Sequence, residues 1–151
     1  MSTRVRTALT TALLLLGGRA AAAQSFTVSL ANLGTMNVIA AVAGSDPTSI
    51  TQSSSTYTLV TKKNKGITRV SANLDAALPA GVTLTVNLPS PGGGIVSAGA
   101  VALTTAQQDV LTTLPNSNTT FLPQTITYVL SATAAAGVVA LTTYHVTFTL
   151  Q

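Results

Sequence analysis

Val82-Thr83-Leu84-Thr85-Val86-Asn87-Leu88 places an apolar side chain at every second position and a small polar one between. Successive strand residues point to opposite faces of a sheet, so this stretch buries Val82, Leu84, Val86 and Leu88 and wets Thr83, Thr85 and Asn87. Threonine suits the wet side because its β-branch fits the pleat while its hydroxyl keeps water. Leu78-Pro79-Ala80-Gly81 before it is a tight turn, with proline presetting φ and glycine supplying φ > 0. Pro89-Ser90-Pro91-Gly92-Gly93-Gly94 after it reads as a flexible turn that no strand crosses.

The same alternation recurs on both sides. Phe26, Val28 and Leu30 alternate with Thr27 and Ser29; Tyr57 and Leu59 share a face within 56–61; Val70, Ala72 and Leu74 do so within 67–74. Ile126, Tyr128, Leu130 and Ala132 line one face of 125–133, and Tyr144, Val146, Phe148 and Leu150 one face of 138–150, beyond an Ala134–Gly137 turn. Met36–Ala43 is a continuous apolar run between Gly34 and Gly44 and reads as a buried strand, with a short helix as the alternative. Ser45-Asp46-Pro47 is a turn, 48–55 a polar run, Lys62–Gly66 a hairpin loop, Ala100–Thr104 a short strand and Pro115–Pro123 a polar loop. Thr105 and Gln108 have capping-box spacing, which predicts one or two helical turns over 105–114. Seven or eight short strands between turn signals predict an all-β fold, an antiparallel immunoglobulin-like β-sandwich. A solenoid of stacked threonine ladders would need a fixed repeat, and the Thr-x-Thr pairs starting at Thr56, Thr83, Thr125 and Thr147 have none.

The chain has 151 residues, 46% apolar and only 7% charged, with no cysteine and 27 threonines. That length holds one domain of ordinary size, and the low charge with a mean hydropathy of +0.50 excludes intrinsic disorder. Residues 1–23 have the three zones of an export signal: basic Arg4 and Arg6, an apolar centre over 8–16, and Ala21-Ala22-Ala23 before Gln24. The apolar centre is too short for a stable membrane span. Cleavage there leaves residues 24–151 as a single exported domain carrying Lys62, Lys63, Lys65 and Arg69 against Asp46, Asp75 and Asp109, a net charge of +1. So neutral a product lacks the footprint that nucleic acid demands. Without cysteine, the fold rests on strand pairing and core burial alone.

No catalytic, cofactor or metal set emerges. His145 is the one histidine and there is no glutamate; a hydrolase would need His145 beside a nucleophile and one of the three aspartates, whereas aspartates at turns ordinarily hydrogen-bond backbone. The glycine run lacks the Lys-Ser/Thr and helix of a phosphate loop. Lys62, Lys63, Lys65 and Arg69 form one candidate patch for an anionic polysaccharide; the plainer reading is a solvated loop whose lysines discourage edge pairing. Asn118-Thr119-Thr120 fits a glycosylation sequon and marks an exposed loop.

The termini carry the strongest functional pointer. Phe26-x-Val28-x-Leu30 and Tyr144-x-Val146-x-Phe148-x-Leu150 are strands at the two ends of the exported chain, where a strand is free to pair with another sheet. With the Leu78-Pro79-Ala80-Gly81-Val82-x-Leu84-x-Val86 turn and strand, they make the chain resemble exported bacterial β-sandwich surface subunits of the fimbrial major-subunit and spore-coat-protein-U type. That resemblance implies a noncatalytic subunit of a surface fibre, coat or matrix, periplasmic, cell-surface or extracellular, whose partners are itself or related subunits and a periplasmic chaperone. Such subunits often carry a disulfide, which this chain does not. The alternative is a monomeric secreted adhesive or ligand-binding module using the 62–65 or 89–94 loop.

Overall fold

The computed structural model describes residues 23–29, 36, 38, 45–137 and 142–151. Their regular structure is ten strands, β1 (Ser25–Ser29), β2 (Ile50–Thr61), β3 (Val70–Leu74), β4 (Val82–Asn87), β5 (Val96–Ser97), β6 (Ala100–Ala102), β7 (Gln108–Thr112), β8 (Thr119–Thr120), β9 (Gln124–Ala132) and β10 (Val146–Leu150), with a single 3-10 turn at Ala134–Ala136. One sheet runs β1-β2-β9-β4-β6, with β8 pairing beside the end of β2; the other runs β10-β3-β7-β5. Every pairing is antiparallel. Alternation is what joins the two sheets: Tyr57, Leu59, Val86, Ile126 and Tyr128 of the first meet Val70, Ala72, Leu74, Val110 and Leu111 of the second in one buried cluster. Each fully buried side chain of that kind contributes about 1.5–3 kcal/mol. Among the described residues no helix is long and apolar enough to cross a membrane.

The strand at 82–88 forms as read, and its turn closes with Val82 N–H donating to Pro79 O at 3.1 Å. Gly81 at φ 78 supplies the left-handed position, and a Cβ there would lie 2.7 Å from Thr133 Oγ1. Tyr57 and Leu59 likewise face inward, and β2 begins already at Ile50, so most of the polar run belongs to the strand. Its register against β9 shifts between Gln52 and Ser55, where Ser53 and Ser54 together oppose Thr127. Two residues facing one is a β-bulge, and Ser53 Oγ meets Thr127 Oγ1 at 3.2 Å. Serine runs read as loop because their hydroxyls compete for backbone; here the bulge takes up the excess residue and pairing continues.

Three other expectations are corrected. The helix over 105–114 is absent: Thr104 Oγ1 accepts the Ala106 N–H at 3.2 Å in a local turn, and β7 then pairs with β3. A second bulge, between the Val70–Leu111 and Ser71–Asp109 pairs, lets consecutive Val110 and Leu111 both enter the core, which is why the segment looked less like a strand. Lys62–Gly66 is not a hairpin loop: β2 and β3 belong to different sheets, and the loop crosses between them through left-handed Asn64 (φ 63) and Gly66 (φ 67). Pro89–Gly94 is a held loop. Ser90 Oγ donates to Ile95 O at 2.6 Å and accepts the Gly92 N–H at 3.1 Å, and Gly93 lies against the buried Phe121 ring. Of Met36–Ala43, only Met36 and Val38 are described, both outside any strand and half-buried, and Met36 packs on the core.

Candidate functional site

Among the described residues, strand β1 is an edge of the first sheet, paired from Ser25 opposite Val60 to Ser29 opposite Thr56. Among the same residues, strand β10 is an edge of the second, paired from Val146 opposite Leu74 to Leu150 opposite Val70. The Phe26 and Phe148 rings approach to 5.5 Å between centroids, so the two edges lie one above the other on the same side of the sandwich. Phe26 also stacks on Tyr57 at 5.2 Å and 22°. Of the seven terminal residues singled out, Phe26, Val28, Tyr144, Val146, Phe148 and Leu150 are half-buried against the core, and Leu30 lies outside the described residues; Tyr144 is not in the final strand as expected, since β10 begins only at Val146. The first strand thus completes its own molecule's sheet.

The two sides of the sandwich are built differently. Opposite β1 and β10, the edges are β6 and β5, three and two residues long, and Ala98-Gly99 carries the chain directly from one to the other. Very short edges joined by a connection offer little to a foreign strand. On the near side each edge strand has five residues, with no charged side chain, no proline and no register shift. Lysine, proline and bulges are the usual guards of an exposed edge, and neither β1 nor β10 has one.

The four basic residues are divided. Lys62, Lys63 and Lys65 sit on the crossing loop, whose backbone is clamped from across the chain: Asn118 Oδ1 accepts the Lys63 N–H at 3.1 Å and Asn116 Oδ1 the Asn64 N–H at 2.5 Å. Arg69 is engaged elsewhere, donating from Nε to Gln151 Oε1 at 3.0 Å and pairing with Asp109 at 3.3 Å. These three residues, with Val101, Gln107 and Gln108, line an open polar depression of about 560 Å³, and Gln151 Nε2 donates to Gln107 Oε1 within it. The Asn116, Asn118 and Gln151 contacts escaped sequence reasoning, since no local spacing announces an amide that bonds a loop far away in the chain.

Each aspartate has a structural partner at long range instead of in its own turn. Asp46 Oδ1 accepts the Ala134 N–H at 2.8 Å, and Asp75 Oδ1 accepts the main-chain N–H of His145 at 2.9 Å, while Asp75 N–H donates to His145 O at 3.1 Å. Asp75 therefore grips the backbone of His145, whose side chain is exposed. Among the described residues no three His, Cys, Asp or Glu side chains cluster as a metal site would require. The perturbed groups lie in the core: burial pushes the Tyr57 and Tyr128 phenols up to about 12, and Tyr57 OH donates to Pro89 O.

Comparisons of the chain with protein-family models, with curated proteins and with solved structures return no match.

Proposed function

We propose that this is a noncatalytic, exported structural subunit of a surface fibre, coat or matrix that assembles through its edge strands. The observation that carries the reading is the pair of unguarded edges, β1 and β10, stacked on one side of the sandwich while the opposite side is closed by a two-residue link. An unguarded edge presents unpaired N–H and C=O groups to any chain able to add a strand. A soluble monomer is under pressure to blunt such edges; a subunit has reason to keep them. The 7% charge content points the same way, because little surface repulsion opposes association. Since β1 already lies in its own sheet, assembly proceeds by adding edge to edge, without a strand leaving its place. Sedimentation of the exported protein across a wide concentration range, followed by electron microscopy, tests this: concentration-dependent oligomers or ordered assemblies are expected, and a monomer at every concentration would overturn it.

The second reading, a monomeric secreted module for an anionic polysaccharide, draws on the clamp by Asn116 and Asn118, which holds the backbone at Lys63 and Asn64 of the loop that carries Lys62, Lys63 and Lys65. It expects a monomer that binds heparin with steep salt dependence, lost when the three lysines are replaced by glutamine.

A further inference from the structure

Resting on the structural-subunit reading, we infer that the partner of the β1/β10 side is a second copy of this chain, joined about a two-fold axis perpendicular to the sheets. Each edge strand then pairs antiparallel with its own counterpart, and both sheets run on unbroken from one molecule into the next. Four observations select this occupant. Both edges open on the same side, so a single axis serves both. Neither strand carries charge, so placing each against itself brings no like charges together.

The third is one of parity. An axis perpendicular to a sheet preserves its faces, and opposed residues in an antiparallel pair share a face, so the axis must pass through a residue paired with itself. For β1 the register that pairs all five residues sets Thr27 opposite Thr27, with Phe26 opposite Val28; for β10 it sets Phe148 opposite Phe148, with Thr147 opposite Thr149. In both, apolar residues meet on the core face and threonines on the wet face. The fourth is alignment: Phe26, next to Thr27, meets Phe148 ring to ring, so the midpoints of the two edges lie within about one strand residue, roughly 3.3 Å, of a common axis. A closed isologous pair of this kind is the commonest symmetric unit.

The absence of cysteine from the chain makes the test direct. Thr27→Cys places two sulfurs across the axis at cross-strand distance, within disulfide reach. Mild oxidation of the exported protein is expected to convert this variant to a covalent dimer, while Ala102→Cys on the opposite edge stays monomeric on denaturing gels. The double variant Thr27→Lys, Thr147→Lys changes exposed side chains and sets lysines against each other, weakening the dimer roughly tenfold or more by sedimentation with its circular dichroism unchanged. A lysine variant that no longer associates, together with no cross-link at Thr27, would overturn the two-fold pairing and leave assembly through the edge strands standing; assemblies that form as before in the lysine variant would overturn both. A protein monomeric at every concentration would overturn both.

Discussion

Raising the pH should unfold this protein through two buried phenols, and the size of the effect follows from where they sit. Tyr57 is fully buried and Tyr128 nearly so, and burial pushes both up from 10.0 to about 12. Charging a phenol inside the sandwich is disfavoured, so the folded state keeps a proton that the unfolded chain releases between pH 10 and pH 12. Stability is therefore complete below pH 10 and falls as pH rises through 12. At about 1.4 kcal/mol per unit, each tyrosine accounts for about 2–3 kcal/mol, a large part of the margin of a small domain. The assay is urea unfolding followed by circular dichroism, since the chain has no tryptophan. Wild type is compared with Tyr57→Phe, so that every other titrating group cancels. At neutral pH the variant should be about 1 kcal/mol weaker, having left Pro89 O without its donor. As pH rises from 10 to 12 the wild type should lose its lead and fall below the variant. A gap that stays constant to pH 12 would refute the argument, because it would mean that Tyr57 titrates alike in both states.

Three further outcomes are expected. Gly93→Ala should lower stability by about 1–3 kcal/mol in thermal unfolding, because the position is held at φ +66 and the new Cβ would lie 2.7 Å from Phe121 Cε1. Ser71→Ala should be neutral or slightly stabilising by the same measurement, since the Ser71 hydroxyl is fully buried with no hydrogen-bond partner among the described residues; a loss above about 1 kcal/mol would reveal a partner. A double-mutant cycle of Phe26→Leu and Phe148→Leu should show a coupling of about 0.5–1.5 kcal/mol, and additivity would deny that their rings hold the two edges together.

What the sequence made legible was every strand whose burial alternates simply. The 82–88 strand, Tyr57 and Leu59, Ile126 and Tyr128, and the two terminal strands follow directly from period two, because one side of each faces oil and the other water. Legibility failed where the period breaks. The Ser53-Ser54 bulge hid the first half of β2, and the Val110-Leu111 bulge gave β7 two adjacent inward residues that resemble a helical turn more than a strand. The sheet change across Lys62–Gly66 was equally invisible, since a short polar loop with a left-handed glycine looks alike whether it joins neighbours or crosses the core. For the candidate site, the terminal residues were readable as strands, but that both fall on one side of the sandwich is a property of strand order, which no local window contains. Arg69 shows the converse: its nearness in sequence to the lysines suggested one patch, and its guanidinium turns instead to Asp109 and Gln151.

The Phe26–Phe148 contact has a consequence for when the molecule can be finished. It ties together residues 122 positions apart, and no earlier segment among those described offers β3 the flank that residues 146–150 provide. Distant pairings form late because closing so long a loop is entropically costly before any contact rewards it. A chain emerging amino end first would thus wait with its hydrophobic interior agape until residues 146–150 arrived.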